Sequence, residues 1–211
     1  MVTVLSPPEQ RVILHNVSWD TYERLLADLH DCNAPRLTYD RGTLEIMSPS
    51  SEHERYNRTV AQIVEELAVE MDIHIDSLGS TTFRREDIDR GFEPDSCFYV
   101  QNAQAVRGKK RIDLAVDPPP DLIIEIDITS TSLDKFSIFA EVGVPEVWRF
   151  DGTHLTIHEL ALDKYLERDT SSVFNAIAAV DLNRLLNESE TTSRPEWVRK
   201  LREWVRDRVV S

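Results

Sequence analysis

The 211-residue chain has a mass of 24.3 kDa, and 41% of its residues are hydrophobic. One substantial core can be buried at this size, so we expect a single globular domain over residues 1–211. The formal net charge of −14 argues against a surface that attracts polyanions over a distance. No apolar run approaches the roughly eighteen residues of a membrane-spanning helix, so we expect a cytoplasmic protein without membrane contact. Cys32 and Cys97 form neither a zinc spacing nor a disulfide framework and are expected in the core.

Two helices are predicted in the first half of the chain. Ser18 can cap a helix that begins at Trp19 and ends near His30, with apolar residues on one side. Residues 48–51 can cap a longer helix over 52–71, whose apolar positions follow three-four spacing. His53 lies in its first turn, where the partial positive charge of a helix N-terminus suits anions.

Strands are predicted between and after these helices. Residues 36–39 and 43–47 flank Gly42, which can adopt positive φ, so we expect an antiparallel hairpin. Residues 73–78 alternate as a strand, and residues 80–84 can continue it after a glycine bend.

A further strand is predicted over residues 92–100. Pro94 has no N–H to donate to a neighbouring strand, so it belongs at a strand start or edge. This places Asp95 at the entrance of the strand. Residues 101–120 are polar and then basic, which indicates a surface loop.

Residues 122–128 have the Leu and Ile content of a buried strand but include Glu125 and Asp127. An unpaired, ionised carboxylate in a protein interior costs several kcal/mol, so both acids need a cation or strong hydrogen-bond donors. Side chains alternate along a strand, so both carboxylates are predicted on one face. The sequence therefore predicts a cation site there.

Residues 129–132 offer caps for a short helix that Gly143 closes, and Lys135 falls in its first turn. A cation at this position opposes the helix dipole, at a cost of about 0.3–1 kcal/mol. Nearby acids would offset that cost. The alternative is that Lys135 only neutralises Glu125 in a partly buried ion pair.

The remaining elements are a hairpin, from strands 147–150 and 155–160, and two terminal helices. The second, within residues 191–211, is predicted to be amphipathic, with Trp197 and Leu201 on its apolar face. That face can pack on the core or on a second subunit, and we expect a homodimer. Basic segments such as Arg84-Arg85, residues 107–111 and the tail would then line a groove.

Four motifs together resemble the Uma2-like endonuclease family of the PD-(D/E)XK superfamily, over about residues 16–190. They are Ser48-Pro49-Ser50 with His53, Pro94-Asp95, the segment 120–126, and the segment 143–148. The resemblance implies an α/β fold with a restriction-endonuclease-like αβββαβ core, in which helices flank a mixed central sheet. It also implies a magnesium-dependent nuclease site and frequent homodimers.

The resemblance implies that Asp95 is the motif aspartate, Glu125 the motif acid and Lys135 the catalytic lysine. In the simplest superfamily pattern the lysine lies two residues after the acid, but Asp127 occupies that position. Many relatives carry an aspartate four residues before the lysine, where this chain has Thr131. Asp127 could compensate as a third metal ligand or pair with Lys135, and His53 could join the site.

The function that these residues favour is hydrolysis of DNA phosphodiester bonds by an endonuclease that uses Mg²⁺ or Mn²⁺. Asp95 and Glu125 would hold the ion, and Lys135 would orient water or stabilise charge in the transition state. The alternative is a catalytically inactive protein that keeps the nuclease fold as a binding or assembly module. The acidic composition and the tail helix favour that alternative.

Overall fold

The computed structural model describes residues 9–29, 35–129, 133–175 and 177–209. The expected helix end at His30, Cys32 and Thr131 lie outside these residues. The described chain forms six α-helices and two β-sheets. The helices are α1 (Trp19–Leu29), α2 (Ser51–Glu70), α3 (Ala103–Val106), α4 (Lys135–Val142), α5 (Ala179–Thr191) and α6 (Arg194–Val209). The strands are β1 (Gln10–Leu14), β2 (Arg36–Asp40), β3 (Thr43–Ser48), β4 (Asp76–Gly79), β5 (Phe83–Arg85), β6 (Arg90–Phe92), β7 (Ser96–Tyr99), β8 (Leu122–Ile126), β9 (Glu146–Phe150), β10 (Leu155–Ala161) and β11 (Lys164–Arg168).

The first sheet contains five strands in the order β1-β3-β2-β6-β5, and all its neighbours are antiparallel. The predicted hairpin is confirmed as β2 and β3, with Gly42 at φ +88° in the turn. Helix α1 packs on this sheet through Tyr22, whose ring stacks on Tyr39 with centroids 4.9 Å apart. The cap at Ser18 is also confirmed, since its Oγ accepts a hydrogen bond from the Thr21 N–H at 3.3 Å.

The second sheet is the central one and contains six strands in the order β11-β10-β9-β8-β7-β4. Strands β8 and β9 are parallel, whereas the other neighbours are antiparallel. Helix α2, strands β4, β7 and β8, helix α4 and strand β9 occur along the chain in the order αβββαβ, with β5 and β6 inserted after β4 and α3 inserted after β7. The α/β class, the mixed sheet flanked by helices and the restriction-endonuclease-like core are therefore confirmed.

The two faces of the central sheet bury different helices. On one face, Ile124 and Ile126 of β8 pack in a cluster with residues of α2, α5 and α6. On the other, Ile123 packs with Ile138 and Phe139 of α4. Both faces of β8 are thus covered, which explains its nearly continuous apolar sequence.

The prediction of one strand over residues 92–100 is wrong, because this segment contributes to two strands that belong to different sheets. Strand β6 ends at Phe92 in the first sheet, and β7 begins at Ser96 in the central sheet. Pro94 lies between them, where its missing N–H interrupts pairing. The predicted position of Asp95, directly before a strand, is confirmed. Residues 83–85 likewise do not extend β4 but form β5 of the first sheet.

Helix α6 is the predicted amphipathic tail, and it packs on α2 and α5 of the same chain. Trp197, Leu201 and Val205 are buried there, and the Trp197 indole N–H donates to the Leu185 carbonyl at 2.8 Å. Packing within the subunit is therefore the correct alternative for this face. Because this face is buried within the subunit, it does not support the expected homodimer, which stays a prediction. Within the described ranges, no helix combines the length and apolarity needed to cross a membrane.

Replacing Leu201 by alanine tests this packing. We expect Leu201→Ala to lower the free energy of unfolding by about 2–5 kcal/mol, because it leaves a cavity among α2, α5 and α6. Val116→Ala is the control, since Val116 is 81% exposed, and its effect should stay within about 0.5 kcal/mol. Urea denaturation measures both. A Leu201→Ala protein of unchanged stability but altered mass in light scattering would indicate an intersubunit role instead.

Candidate active site

Glu125 and Lys135 form a buried ion pair at the end of β8. Glu125 is 3% exposed, and the Lys135 Nζ donates to its Oε2 at 2.7 Å. Burial raises the pKa of Glu125, and the positive charge of Lys135 opposes that rise. The acid that offsets the unfavourable position of Lys135 in α4 is therefore Glu125. Its other oxygen, Oε1, has no hydrogen-bond partner among the described residues.

Asp95 is 1% exposed and lies beside β8. Its Oδ2 accepts a hydrogen bond from the Ile126 N–H at 2.7 Å, which fixes the carboxylate next to the residue that follows Glu125. The antiparallel pairing of β7 and β8 ends with Ser96 opposite Ile124. Asp95 directly precedes the paired residues of β7 at the end of the ladder where Glu125 follows Ile124 on β8.

The carboxylate of Asp95 is paired with an arginine. Its Oδ1 is in direct contact with Nη1 of the Arg36 guanidinium, so that oxygen already has a cationic partner. Arg36 is held from its other side by Glu54 at 2.5 Å. Arg36 therefore bridges Glu54 and Asp95 and neutralises the Asp95 carboxylate.

His53 joins these residues from the start of α2. Its backbone N–H donates to the capping Ser50 Oγ at 3.1 Å, and its buried ring places Nε2 3.2 Å from Asp95 Oδ2. Burial, and then the positive charges of Arg36, Lys135 and Arg11, lower the pKa of His53 to about 3. The imidazole is thus neutral near pH 7, and it lies close to Asp95 as a polar contact rather than as a cation.

Asp127 pairs with arginine rather than with Lys135. Its Oδ2 accepts from Arg149 Nε at 2.9 Å, and its Oδ1 lies 3.4 Å from Arg11 Nη2. Both oxygens therefore already contact cationic groups. Pairing of Asp127 with Lys135 is the wrong alternative, and its role as a metal ligand stays a prediction.

Sequence reasoning missed three of the four basic residues and three of the six acids in this site. They reach it from the segment 9–11, from β2, β3 and β9, and from the first turn of α2, and only folding brings these segments together. Glu45 carried the same signal as Glu125, a carboxylate between apolar residues of a strand. Over the described residues, the acids of the ion-pair network outnumber the cations by two, with Glu9, Glu45, Glu54, Asp95, Glu125 and Asp127 facing Arg11, Arg36, Lys135 and Arg149. One divalent cation would balance that charge.

Other buried acids, at the opposite end of β8 and β9, have complete partners. Glu146 accepts from the Trp148 indole and Ser171 Oγ, each at 2.6 Å, and from the Ser172 N–H at 2.6 Å. Asp121 accepts from the N–H groups of Val100 and Asn102. These carboxylates hold loops in place. Glu125 differs because one oxygen remains without a donor.

The donor set fits a metal that takes few protein ligands. The described residues contain no group of three or more His, Cys, Asp or Glu arranged to hold a metal ion. Magnesium, however, commonly uses one or two carboxylates and completes its octahedron with water and substrate phosphate. Glu125 Oε1, which has no hydrogen-bond partner among the described residues, suits such an ion, whereas Asp95 Oδ1 could contribute only in exchange for its contact with Arg36. An open cleft of about 440 Å³, lined by Glu125, Lys135, Phe136 and Arg149 among others, gives access to Glu125.

The basic segments expected to line a groove are largely paired with acids of the same chain. Arg84 contacts Glu23 at 2.8 Å, Arg85 contacts Asp87 at 2.6 Å, and Lys109 pairs with Asp117. In the tail, Arg202 and Arg206 contact Glu66 and Glu70 of α2. Within one subunit these basic side chains therefore form ion pairs with acids of the same chain instead of forming a continuous basic surface.

An αβββαβ core with an aspartate, a glutamate and a lysine meeting beside its central strands defines a restriction-endonuclease-like protein. The model of the Uma2 family, described as "Putative restriction endonuclease", matches residues 19–192, and the chain belongs to this family. A crystal structure of "a putative nuclease belonging to DUF820" from Anabaena variabilis ATCC 29413 is similar, with 14% sequence identity and a TM-score of 0.49. The similarity covers 71% of this chain and 90% of that one. No curated protein matches the chain.

The neutral state of His53 predicts a pH-dependent stability. Unfolded histidine has a pKa of about 6.5, so the unfolded chain binds a proton as pH falls below that value, whereas folded His53 binds it only near pH 3. The stabilising contribution is therefore complete above pH 6.5 and decreases towards pH 3. Between about pH 6.5 and pH 5 the wild type should lose about 1.5 kcal/mol more than His53→Gln.

Urea denaturation at each pH, with a chelator present, measures this difference. His74→Gln is the control, because His74 is exposed, and its pH dependence should follow that of the wild type. Equal pH dependence in the wild type and His53→Gln would show that His53 is not held neutral.

Proposed function

We propose that this protein is a metal-dependent nuclease that hydrolyses DNA phosphodiester bonds in the cleft at Glu125. The observation that carries the proposal is the buried Glu125 carboxylate with one oxygen lacking a donor, beside Asp95 and Lys135. A buried polar atom without a partner is costly, and Glu146 shows that this chain can satisfy a buried acid completely. Membership of the Uma2 family supports the same reaction class.

Glu125 would hold the Mg²⁺ or Mn²⁺ ion through its oxygen without a hydrogen bond, and Asp95 would hold it in place of its contact with Arg36. When bound, such an ion polarises a phosphoryl oxygen and lowers the pKa of coordinated water. The Ile126 N–H orients the Asp95 carboxylate for this role. His53, neutral and fully buried, excludes water from the inner side of Asp95 without adding positive charge.

Lys135 has two roles in this proposal. Its ammonium favours the ionised form of Glu125 against the effect of burial, which a metal ligand requires. Among the residues that the structure describes, its Nζ makes one hydrogen bond, to Glu125, and an ammonium group has two further N–H groups that could contact phosphate oxygens. Negative charge that develops on the phosphoryl group during attack by water would be stabilised there.

A second function is favoured by the pairing of Arg36 with Asp95. If this arginine permanently occupies the position of a cation, the fold serves as a catalytically inactive binding or assembly module. The pairing of basic surface segments with acids of the same chain agrees with that function.

A cleavage assay separates the two functions. With Mg²⁺ or Mn²⁺, the wild type should cleave plasmid, linear or single-stranded DNA, and Glu125→Gln should reduce the rate by about 100-fold or more. Glu159→Gln, which alters a partly exposed acid of β10, should leave the rate unchanged. Because Glu125→Gln leaves Lys135 unpaired, Glu125→Gln/Lys135→Met provides a second inactive variant without that buried charge.

Circular dichroism should show that these variants remain folded. A wild type that cleaves none of the three substrates with either metal would favour the inactive module. Retention of the full rate by Glu125→Gln would remove Glu125 from the mechanism.

A further inference from the structure

Arg149 lies in the same cleft as Glu125 and was not among the residues expected in the site. It is on β9, and the parallel register of β8 and β9 pairs it directly with Glu125. Paired residues on neighbouring strands project from the same face of a sheet. Arg149 accordingly lines the cleft together with Glu125, Asp127 and Lys135.

The four basic residues of the site differ in the exposure of their side chains and in their pairing with buried carboxylates. The side chains of Lys135, Arg11 and Arg36 are only 8–11% exposed, and each is paired with at least one buried carboxylate. The side chain of Arg149 is 37% exposed. Among the four basic residues of the site, Arg149 is therefore the one that a molecule entering the cleft can reach most easily.

The contact with Asp127 leaves the outer part of the guanidinium available. Asp127 Oδ2 accepts from Nε of Arg149 at 2.9 Å. In the described parts of the chain, Nη1 and Nη2 of Arg149 make no hydrogen bond. A guanidinium held through Nε presents two remaining amino groups in a planar fork, which matches two oxygens of a phosphate.

We propose that Arg149 binds a backbone phosphate of the nucleic-acid substrate, and that Asp127 is a positioning residue that orients its guanidinium. The inference rests on the proposed function, because it takes the Glu125 cleft as the place where the substrate enters. It also accounts for Asp127, whose two oxygens contact Arg149 and Arg11. The alternative is that Arg149 only neutralises Asp127.

The test uses a labelled single-stranded oligonucleotide, bound in the presence of Ca²⁺ over a series of salt concentrations. Arg149→Gln should weaken binding by about 10- to 100-fold and reduce the slope of log K against log salt by about 0.7, the value for one phosphate contact. Arg149→Lys should retain the slope, because the charge remains, but recover only part of the affinity. Arg168→Gln is the matched control, because Arg168 pairs with Glu159 on the β10–β11 hairpin and does not line the cleft.

Two further measurements separate phosphate binding from a structural role. In cleavage assays, Arg149→Gln should raise KM much more than it lowers kcat, and the concentration of Mg²⁺ needed for half-maximal rate should not increase. Asp127→Ala should raise KM in the same way, whereas Asp127→Asn should restore part of the affinity, because its amide oxygen can still accept from Nε.

The outcomes distinguish this inference from the proposed function. If the wild type binds the oligonucleotide but cleaves no DNA, the nuclease function fails, while a lower slope in Arg149→Gln still supports the phosphate contact. If the wild type cleaves DNA and Arg149→Gln has an unchanged KM and slope, the inference is overturned and the function stands. A wild type that does not bind the oligonucleotide overturns the inference as well.

Discussion

The structure depends on accommodating carboxylates at a place from which water is largely excluded. An isolated buried charge costs several kcal/mol, so Asp95 and Glu125 are tolerable only with cations and N–H donors around them. Arg36, Lys135 and the Ile126 N–H supply most of that compensation. The compensation is incomplete at Glu125, because its Oε1 has no hydrogen-bond partner among the described residues. This unpartnered oxygen distinguishes the candidate site from ordinary buried ion pairs.

The same constraint joins the two sheets. The central sheet supplies Asp95 and Glu125, whereas the first sheet supplies Arg11 and Arg36. A metal ion at Asp95 would carry positive charge to a carboxylate that Arg36 already neutralises. Binding of the ion and the pairing with Arg36 therefore oppose each other, and the balance between them decides whether the site is catalytic or structural. The excess of acids over bases in the network favours the ion.

Much of this site could be predicted from local sequence. The acids of β8 stand out because they interrupt a run of Leu and Ile, and Lys135 stands out because it opposes a helix dipole. The partners of these residues could not be found in this way. Arg36 lies 59 positions before Asp95 and Arg11 lies 116 positions before Asp127, so only the packing of the two sheets brings them together. The change of sheet at Pro94 and the partner of the tail helix were likewise set by long-range contacts that local periodicity does not contain.

The central claim is that Asp95 and Glu125 form a site for a divalent cation, and the most direct measurement is the free energy of unfolding as a function of Mg²⁺ concentration. Binding to the folded state alone stabilises it by RT ln(1 + [Mg²⁺]/Kd), about 2.7 kcal/mol at one hundred times Kd. We expect this rise in the wild type and its absence in Glu125→Gln/Lys135→Met, with Ca²⁺ and Na⁺ at matched ionic strength separating specific binding from screening. A wild type whose stability does not respond to Mg²⁺ or Mn²⁺, or an equal response in the double variant, would contradict the claim.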